Sequence, residues 1–318
     1  MTGSDLLLAV VLDATLGDPR WLPHPVRLMG AAITWCEQRV RAICRSARSL
    51  RVAGVCLAAF IPLGAYGAGQ FFIDQADRVS SLLGHCVSIG LAFTTLAWRD
   101  LLDHVSVIRR EVANGNLVAA RLAVAKVVGR DTDRLSEQEI VRATVETEAE
   151  SLSDGVIAPL FYLTIGGAPL ALAYKAVNTL DSMIGHRDAR YEHLGWASAR
   201  LDDALNWLPA RLTSGIIAIA AGVATGQWRR VTESVRICRR DGHRHPSPNS
   251  GRPEAAMAGA LSVQLGGLNY YDGQAQWRCP LGDNPRPLGL RDIDLTTRIL
   301  MTGYAVAVAL AVTALWLS

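Results

Sequence analysis

Five stretches of the chain, residues 52–73, 79–98, 155–174, 212–228 and 299–318, are built from Ala, Gly, Val, Leu and Ile and carry little or no charge. A helix of about 20 residues spans roughly 30 Å, the hydrocarbon thickness of a bilayer. Four of the five stretches reach that length, and 212–228 is marginal. None has the charged face of a helix lying on a soluble core. The pattern predicts an all-α, polytopic helical integral membrane protein with about four to five membrane segments and a cytoplasmic helical and loop region, all in one domain over 1–318. Gly54, Gly64, Gly67, Gly69, Gly215, Gly222 and Gly226 suit close helix packing in lipid and are compatible with a homodimer. Residues 1–12 lack a basic start and a small-residue cleavage site, so no signal peptide is expected.

Polar segments separate these stretches. Gly17-Asp-Pro19 and Leu22-Pro-His-Pro25 predict a turn and a rigid extended loop. A helix follows over about 26–50. Another runs over 99–128, broken at Asn114-Gly-Asn116, and a third over 136–152, opened by Ser136 with Glu137 and Glu139 in its first turn. The segment 229–294 is polar, Gly- and Pro-rich, carries ten Arg and is expected as a loop.

Seven Arg (Arg20, Arg27, Arg39, Arg41, Arg45, Arg48, Arg51) precede residue 52, whereas only Arg78 lies between the first two windows. By the positive-inside rule the N-terminus and 99–154 are cytoplasmic, with 52–98 as a hairpin. This creates a conflict, because a spanning 155–174 would send 175–211 to the other side. The interior Gly166-Gly-Ala-Pro169 offers a way out, since broken helices are tolerated where protein surrounds them. Segments 155–174 and 212–228 are therefore expected to be partly buried in protein, or not both to cross completely.

Composition strengthens the membrane reading: of 318 residues 50% are hydrophobic and 19% charged, with a mean hydropathy of +0.20. A net charge of +3 is too small to imply nucleic acid. The six cysteines form no Cys-x-x-Cys pair and read as free, mostly buried thiols. His243-x-His245 reads as part of a polar loop rather than a metal site.

Against this apolar background stands a dense set of polar side chains. Asp18 and His24 lie near the start, then Arg130 and Asp131, then Glu146, Glu150 and Asp154 at four-residue spacing on one helix face. Lys175, Asn178, Asp181 and His186 follow, then Asp202, Asp203, Asn206 and Arg211, and finally Asn249, Ser250 and Arg252. Charge beside membrane segments is expensive and marks a reaction site. No Gly-x-x-x-x-Gly-Lys-Ser/Thr loop, Gly-x-Gly-x-x-Gly or Gly-x-Ser-x-Gly is present. Dispersed Arg, Lys, carboxylates and Asn suit phosphoryl or acyl transfer.

Leu12-Asp-Ala-Thr-Leu-Gly-Asp-Pro19 with Pro23-His-Pro-Val26, Glu146-Thr-Glu-Ala-Glu-Ser151 with Asp154-Gly155, Tyr174-Lys-Ala-Val-Asn-Thr-Leu-Asp-Ser-Met-Ile-Gly-His186, Ala199-Arg-Leu-Asp-Asp203, and His245-Pro-Ser-Pro-Asn-Ser-Gly-Arg-Pro-Glu-Ala255 together resemble the CbiB/CobD family, in register from about 5 to 295. The resemblance implies an adenosylcobinamide-phosphate synthase of the cell membrane, with its active site facing the cytoplasm. Such an enzyme joins adenosylcobyric acid, a corrinoid, to aminopropanol or aminopropanol phosphate in an ATP-dependent amide bond formation with Mg²⁺. On that reading Glu146, Glu150 and Asp154 hold Mg²⁺ through ATP, and Arg130, Lys175 and Arg211 bind phosphates. Asp181 or Asp202 takes a proton from the amine, and Asn249, Ser250 and Arg252 form a loop over a substrate. Asp131, Asn178, His186, Asp203, Asn206, Asp18 and His24 complete the substrate- and ATP-binding set. The alternative, a non-catalytic membrane regulator resembling the AmpE family, predicts that these motifs are missing.

Overall fold

The computed structural model describes residues 1–19, 21, 24–186, 188–283 and 286–317. Arg20, Leu22 and Pro23, part of the expected rigid loop, lie outside the described residues. In chain order the elements are α1 (Gly3–Leu16), α2 (Pro25–Ile43), α3 (Ala47–Val79), α4 (Ser81–Phe93), α5 (Trp98–Ala113), α6 (Leu117–Val124) and α7 (Glu137–Leu152). A π-helical turn (Ser153–Ile157) leads into α8 (Ala158–Ile184), followed by α9 (Trp196–Leu205), α10 (Trp207–Thr225), α11 (Trp228–Asp241) and α12 (Gly251–Leu261). A hairpin of β1 (Leu265–Tyr271) and β2 (Gln274–Leu281) precedes α13 (Leu290–Leu317). Among the described residues five helical runs, Ala47–Val79, Ser81–Ala113, Glu137–Ile184, Trp207–Thr225 and Leu290–Leu317, are long and apolar enough to cross a membrane. Each overlaps one of the five windows expected from the sequence, although the second starts at Ser81 and the fourth ends at Thr225, and the protein is a polytopic helical membrane protein.

The helix ends follow local chemistry. Ser136 caps α7 in a capping box, its backbone N–H donating to Glu139 at 2.8 Å. Asn116 caps α6, and Gly115 takes a positive φ of 69° at the expected break. A second capping box at Ser46 starts α3, so the helix expected over 26–50 ends at Ile43.

Contacts divide the chain into two compact units, one of residues 1–97, 158–206 and 308–318, the other of 98–157 and 207–307. In the first, α3 lies against α2, α4, α8 and α9, and α8 also meets α2, α4 and α9. Its buried apolar cluster is Ile33, Leu57, Leu180, Ile184 and Leu194. Gly54 permits a close approach, because a Cβ there would stand 2.0 Å from the Leu194 carbonyl oxygen. Gly64 and Gly67, expected to pack closely as well, face open space. Phe60 and Leu63 on α3 are 70% and 65% exposed, a surface suited to lipid and not to water.

The second unit is arranged around α12, which touches α7, α10 and α11. Gly251 and every residue from Pro253 to Leu261 are buried. A Cβ on Gly259 would come within 2.5 Å of the Glu233 carbonyl oxygen, so α11 and α12 cross nearly backbone to backbone. The segment expected as a loop thus contains two helices and a hairpin. α11 places Ser234, Ile237, Cys238 and Asp241 on its buried face, and Asp272 and Gly273 take positive φ of 50° and 75° in the two-residue turn between β1 and β2.

The break in the 155–174 window is at Gly167, where φ is 66° and ψ −167° inside α8. Burial also follows the expected division: 61% of the apolar window in Glu137–Ile184 and 50% in Trp207–Thr225 is covered by protein, against 28% in Ala47–Val79 and 33% in Leu290–Leu317. The thiols differ from expectation. All six cysteines are free, but only Cys238 is buried, and Cys56, Cys86 and Cys279 are exposed.

Candidate functional site

In the first unit α8 and α9 assemble a polar cluster between apolar layers. Asp202 is buried near the end of α9. Its carboxylate accepts from Asn206 Nδ2 at 2.9 Å and from Asn178 Nδ2 at 3.4 Å. Asn206 Oδ1 in turn accepts from the fully buried Tyr174 hydroxyl at 2.8 Å, and Tyr174 stacks on Tyr162 at 4.8 Å between ring centroids. Burial, reinforced by the nearby Asp181 charge, pushes the Asp202 carboxyl up to about 7, against the pull of the two amides. Asp203, next to it, is within 4.0 Å of Arg200. Lys175, Asn178 and Asp181 rise along α8 at successive three-residue steps. His186 is exposed beyond the end of α8, edge-on to Tyr191. On the N-terminal side, buried His24 holds Nε2 3.1 Å from Asp18 Oδ1.

In the second unit the buried face of α7 meets the hairpin and α12. Arg130 and Glu146 form a buried ion pair. Arg130 Nη1 also donates to Asn269 Oδ1 at 2.6 Å, and Gly266 N–H donates to Glu146 Oε1 at 2.8 Å. Arg142 completes the group by donating to Asn269 Oδ1 and the Leu268 carbonyl, both at 3.0 Å. One turn along α7, Glu150 accepts from Ser250 Oγ at 2.8 Å. Asn249 is buried beside it. Glu254, in the first turn of α12, is buried; burial and the charges of Glu146 and Glu150 push its carboxyl well above the ordinary range, against the pull of Arg278 and Arg130. His245 stands 3.1 Å from Arg278 Nη1 and 3.9 Å from Glu254, and burial together with Arg278 pulls its imidazole down. Arg211 lies over the Trp207 ring at 3.8 Å, close enough to Arg252 for their charges to interact. Two guanidinium groups whose charges interact suit an anion.

Sequence-predicted residues therefore fall into both units, and some have structural partners. Asp131 accepts from the N–H groups of Asp272 and Gly273 at 3.2 and 2.8 Å, closing the hairpin turn. Glu146, Glu150 and Asp154 do not form a metal cage: among the described residues no three His, Cys, Asp or Glu are gathered to hold a metal ion. Sequence reasoning singled out neither Arg142 nor Asn269, and it gave Glu254, His245 and Tyr174 no role of their own in the site. Gly-Arg-Pro-Glu ahead of an Ala-rich run is a helix start with an acidic first turn, a signal that could have placed Glu254. His245 was assigned to a polar loop, yet its side chain is buried.

A helical membrane protein with buried carboxylates and cations beside its spanning segments is the class that this geometry defines. The CobD/Cbib protein family matches residues 6–300. The cobalamin biosynthesis protein CobD of Geobacter metallireducens is 47% identical, over 97% of this chain and 95% of that protein. The cobalamin biosynthesis protein CbiB of Salmonella arizonae is 42% identical, over 98% and 97%, and that of Salmonella typhimurium 41%, over 96% and 95%. No solved structure matches. The chain belongs to the CobD/CbiB family, and its role lies in cobalamin biosynthesis.

Proposed function

We propose that the protein is an ATP-dependent adenosylcobinamide-phosphate synthase. It forms an amide between a propionate carboxyl of adenosylcobyric acid and the amine of aminopropanol or its phosphate, on the cytoplasmic side of the cell membrane. The observation that carries the reading is Asp202, a buried carboxyl held by two amides and titrating near neutrality. An amine must lose a proton as it forms an amide, and a base poised near the working pH serves best.

A carboxylate does not react with an amine until its oxygen is made a leaving group, and ATP supplies the phosphoryl group for that activation. The amine nitrogen then bonds to the carbonyl carbon, the C–O bond to phosphate breaks, and Asp202 takes the amine proton, with Asp181 nearby to disfavour a second charge at rest. In the second unit Arg211 and Arg252 offer cations to phosphate oxygens, Arg130 being committed to Glu146 and Asn269. Mg²⁺ usually keeps several waters and binds through one or two carboxylates plus phosphates, and so needs no protein cage. Glu150, whose carboxylate accepts only a hydroxyl hydrogen bond from Ser250 among the described residues, would fit that requirement, Glu146 being already neutralised by Arg130. When bound, the ion neutralises phosphate charge.

Purified protein incubated with adenosylcobyric acid, aminopropanol phosphate, ATP and Mg²⁺ should yield the condensed corrinoid by mass, with ATP cleaved in step. Unchanged corrinoid from folded protein, across both amines, rejects the synthase reading.

A further inference from the structure

Helix α10 is long and apolar enough to cross a membrane, yet its neighbours are not those of a spanning helix. The chain turns at Gly226, whose φ is 67°, and α11 starts at Trp228 and returns along α10. Near the turn, a Cβ on Gly222 would meet Val231 Cγ2 at 2.5 Å and the Trp228 ring at 3.6 Å. At the far end, Arg211 is near enough to Cys238 of α11 and Arg252 of α12 for their charges to interact. A crossing α10 would therefore draw Arg229, Arg230, Arg236, Arg239 and Arg240 of α11 into the hydrocarbon beside it. Charge at that depth is expensive.

The middle of α10 nevertheless lies at the edge of the apolar layer. A Cβ on Gly303 of α13 would stand 3.1 Å from Ile216 Cγ2 and 3.6 Å from Ala220 Cβ. Gly303 lies four residues inside the apolar window 299–318, about 6 Å along the axis from its polar end. That depth suits an amphipathic helix lying in a bilayer surface, which buries its apolar face by about 5–10 Å. α10 has such a face. Leu208, Leu212, Ile219 and Val223 are exposed along one line of the helix, while Thr213, Ser214, Ile217 and Ala221 on the other side are buried.

The surface beside this stripe is cationic. Trp228 rests against Gly222 and is itself exposed, and Val231, Thr232, Val235 and Arg239 line a groove on α11. Arg236, Arg240 and Arg244 are neutralised by Glu233, Asp241 and Asp283. Arg229 and Arg239 are exposed and have no ion-pair partner among the described residues. An apolar stripe edged by Trp and by uncompensated guanidinium groups complements acyl chains and anionic headgroups together. A second copy of the chain would bring the same cations to the contact.

We propose that the α10–α11 hairpin lies on the bilayer rather than across it and binds anionic phospholipid. The stripe of α10 sits among the acyl chains of one leaflet, and Arg229 and Arg239 of α11 hold phosphate-bearing headgroups. Lipid is the occupant whatever reaction the protein performs.

The test uses the full-length protein in vesicles of phosphatidylethanolamine and phosphatidylglycerol, with a fluorescent amino acid placed at Leu212 or at Val223. Nitroxide-labelled lipids, marked near the headgroup or near the chain end, act as quenchers. The two positions are about 16 Å apart along the helix. In a helix lying in the surface, both should be quenched more by the shallow label, with shallow-to-deep ratios that agree within about twofold. Ratios that differ several-fold between the two positions show a crossing helix and overturn the proposal. Absence of quenching by either label, as for a stripe in water or against a second copy, also overturns it. Headgroup binding is read by native mass spectrometry of protein released from the same vesicles. Retained phosphatidylglycerol should fall about threefold or more in the double variant Arg229→Gln/Arg239→Gln and be kept in Arg229→Lys/Arg239→Lys, with phosphatidylethanolamine unchanged in both. Undiminished phosphatidylglycerol in the Gln pair overturns the assignment of the two arginines.

Discussion

Asp202 changes charge near neutral pH, and this makes its role measurable. Its acid form persists to about pH 7 in the folded protein, whereas a carboxyl in an unfolded chain loses its proton near pH 4. Between those values the unfolded chain has released a proton that the folded chain retains. Unfolding free energy should therefore fall as pH rises through this window and level off above 7. Asp202→Asn should remove that slope, as read from thermal midpoints in detergent at a series of pH values. Synthase activity should rise with pH through about 7 in the wild type, and the variant should lose about 100-fold or more in kcat together with that limb. The Arg130–Glu146 pair calls for a different measurement. Both side chains are only 6% exposed, so Arg130→Ala leaves a buried carboxylate uncompensated and should cost about 3–5 kcal/mol. Replacing both partners with Met and Leu should restore part of that stability, a comparison available from the same melting curves.

At the scale of elements, the glycines divide by what a methyl group would meet. Gly54→Ala drives a carbon to 2.0 Å from a carbonyl oxygen, whereas Gly64→Ala and Gly67→Ala enter open space. The first should lower the yield of monodisperse protein on size-exclusion chromatography, and the other two should not. All three belong to the same Gly-rich stretch of sequence, so only tertiary contact distinguishes them. The same limit explains what could be read beforehand. The spanning helices and α7 were legible because long apolar runs and a capping box are local signals. α11 was not, because five Arg lowered its apparent helicity while its small buried face depends on α12 for its meaning. Asp272-Gly273 did carry a local hairpin signal, which the surrounding polar composition obscured. In the site, the Asp202, Asn178 and Asn206 cluster follows from one pair of helices. Glu254 acquires its character from Glu146 and Glu150, about a hundred residues earlier in the chain.

The protein as a whole presents exposed apolar side chains on its most lipid-like helices, and that surface can be tested by charge. Leu63→Arg on α3 places a guanidinium on the side 65% exposed. A charge at the centre of a spanning helix costs about 2.5–3.5 kcal/mol on insertion scales, so the variant should show a reduced carbonate-resistant membrane fraction. Leu57→Met, in the buried cluster, should leave that fraction unchanged. A further consequence comes from the order in which the two units are threaded. Neither is a continuous piece of chain: residues 98–157 of one are made before 158–206 of the other, and both use the C-terminal part. Domains made of consecutive residues fold one after another as they leave the ribosome. Here α1 to α4 are synthesised while α8 and α9, two of the four helices against which α3 lies, do not yet exist. The bilayer and the insertion machinery must hold those helices in waiting, and a ribosome that stops anywhere before α8 releases a chain in which α3 meets only α2 and α4, and α7 lacks the helix α12 that covers it.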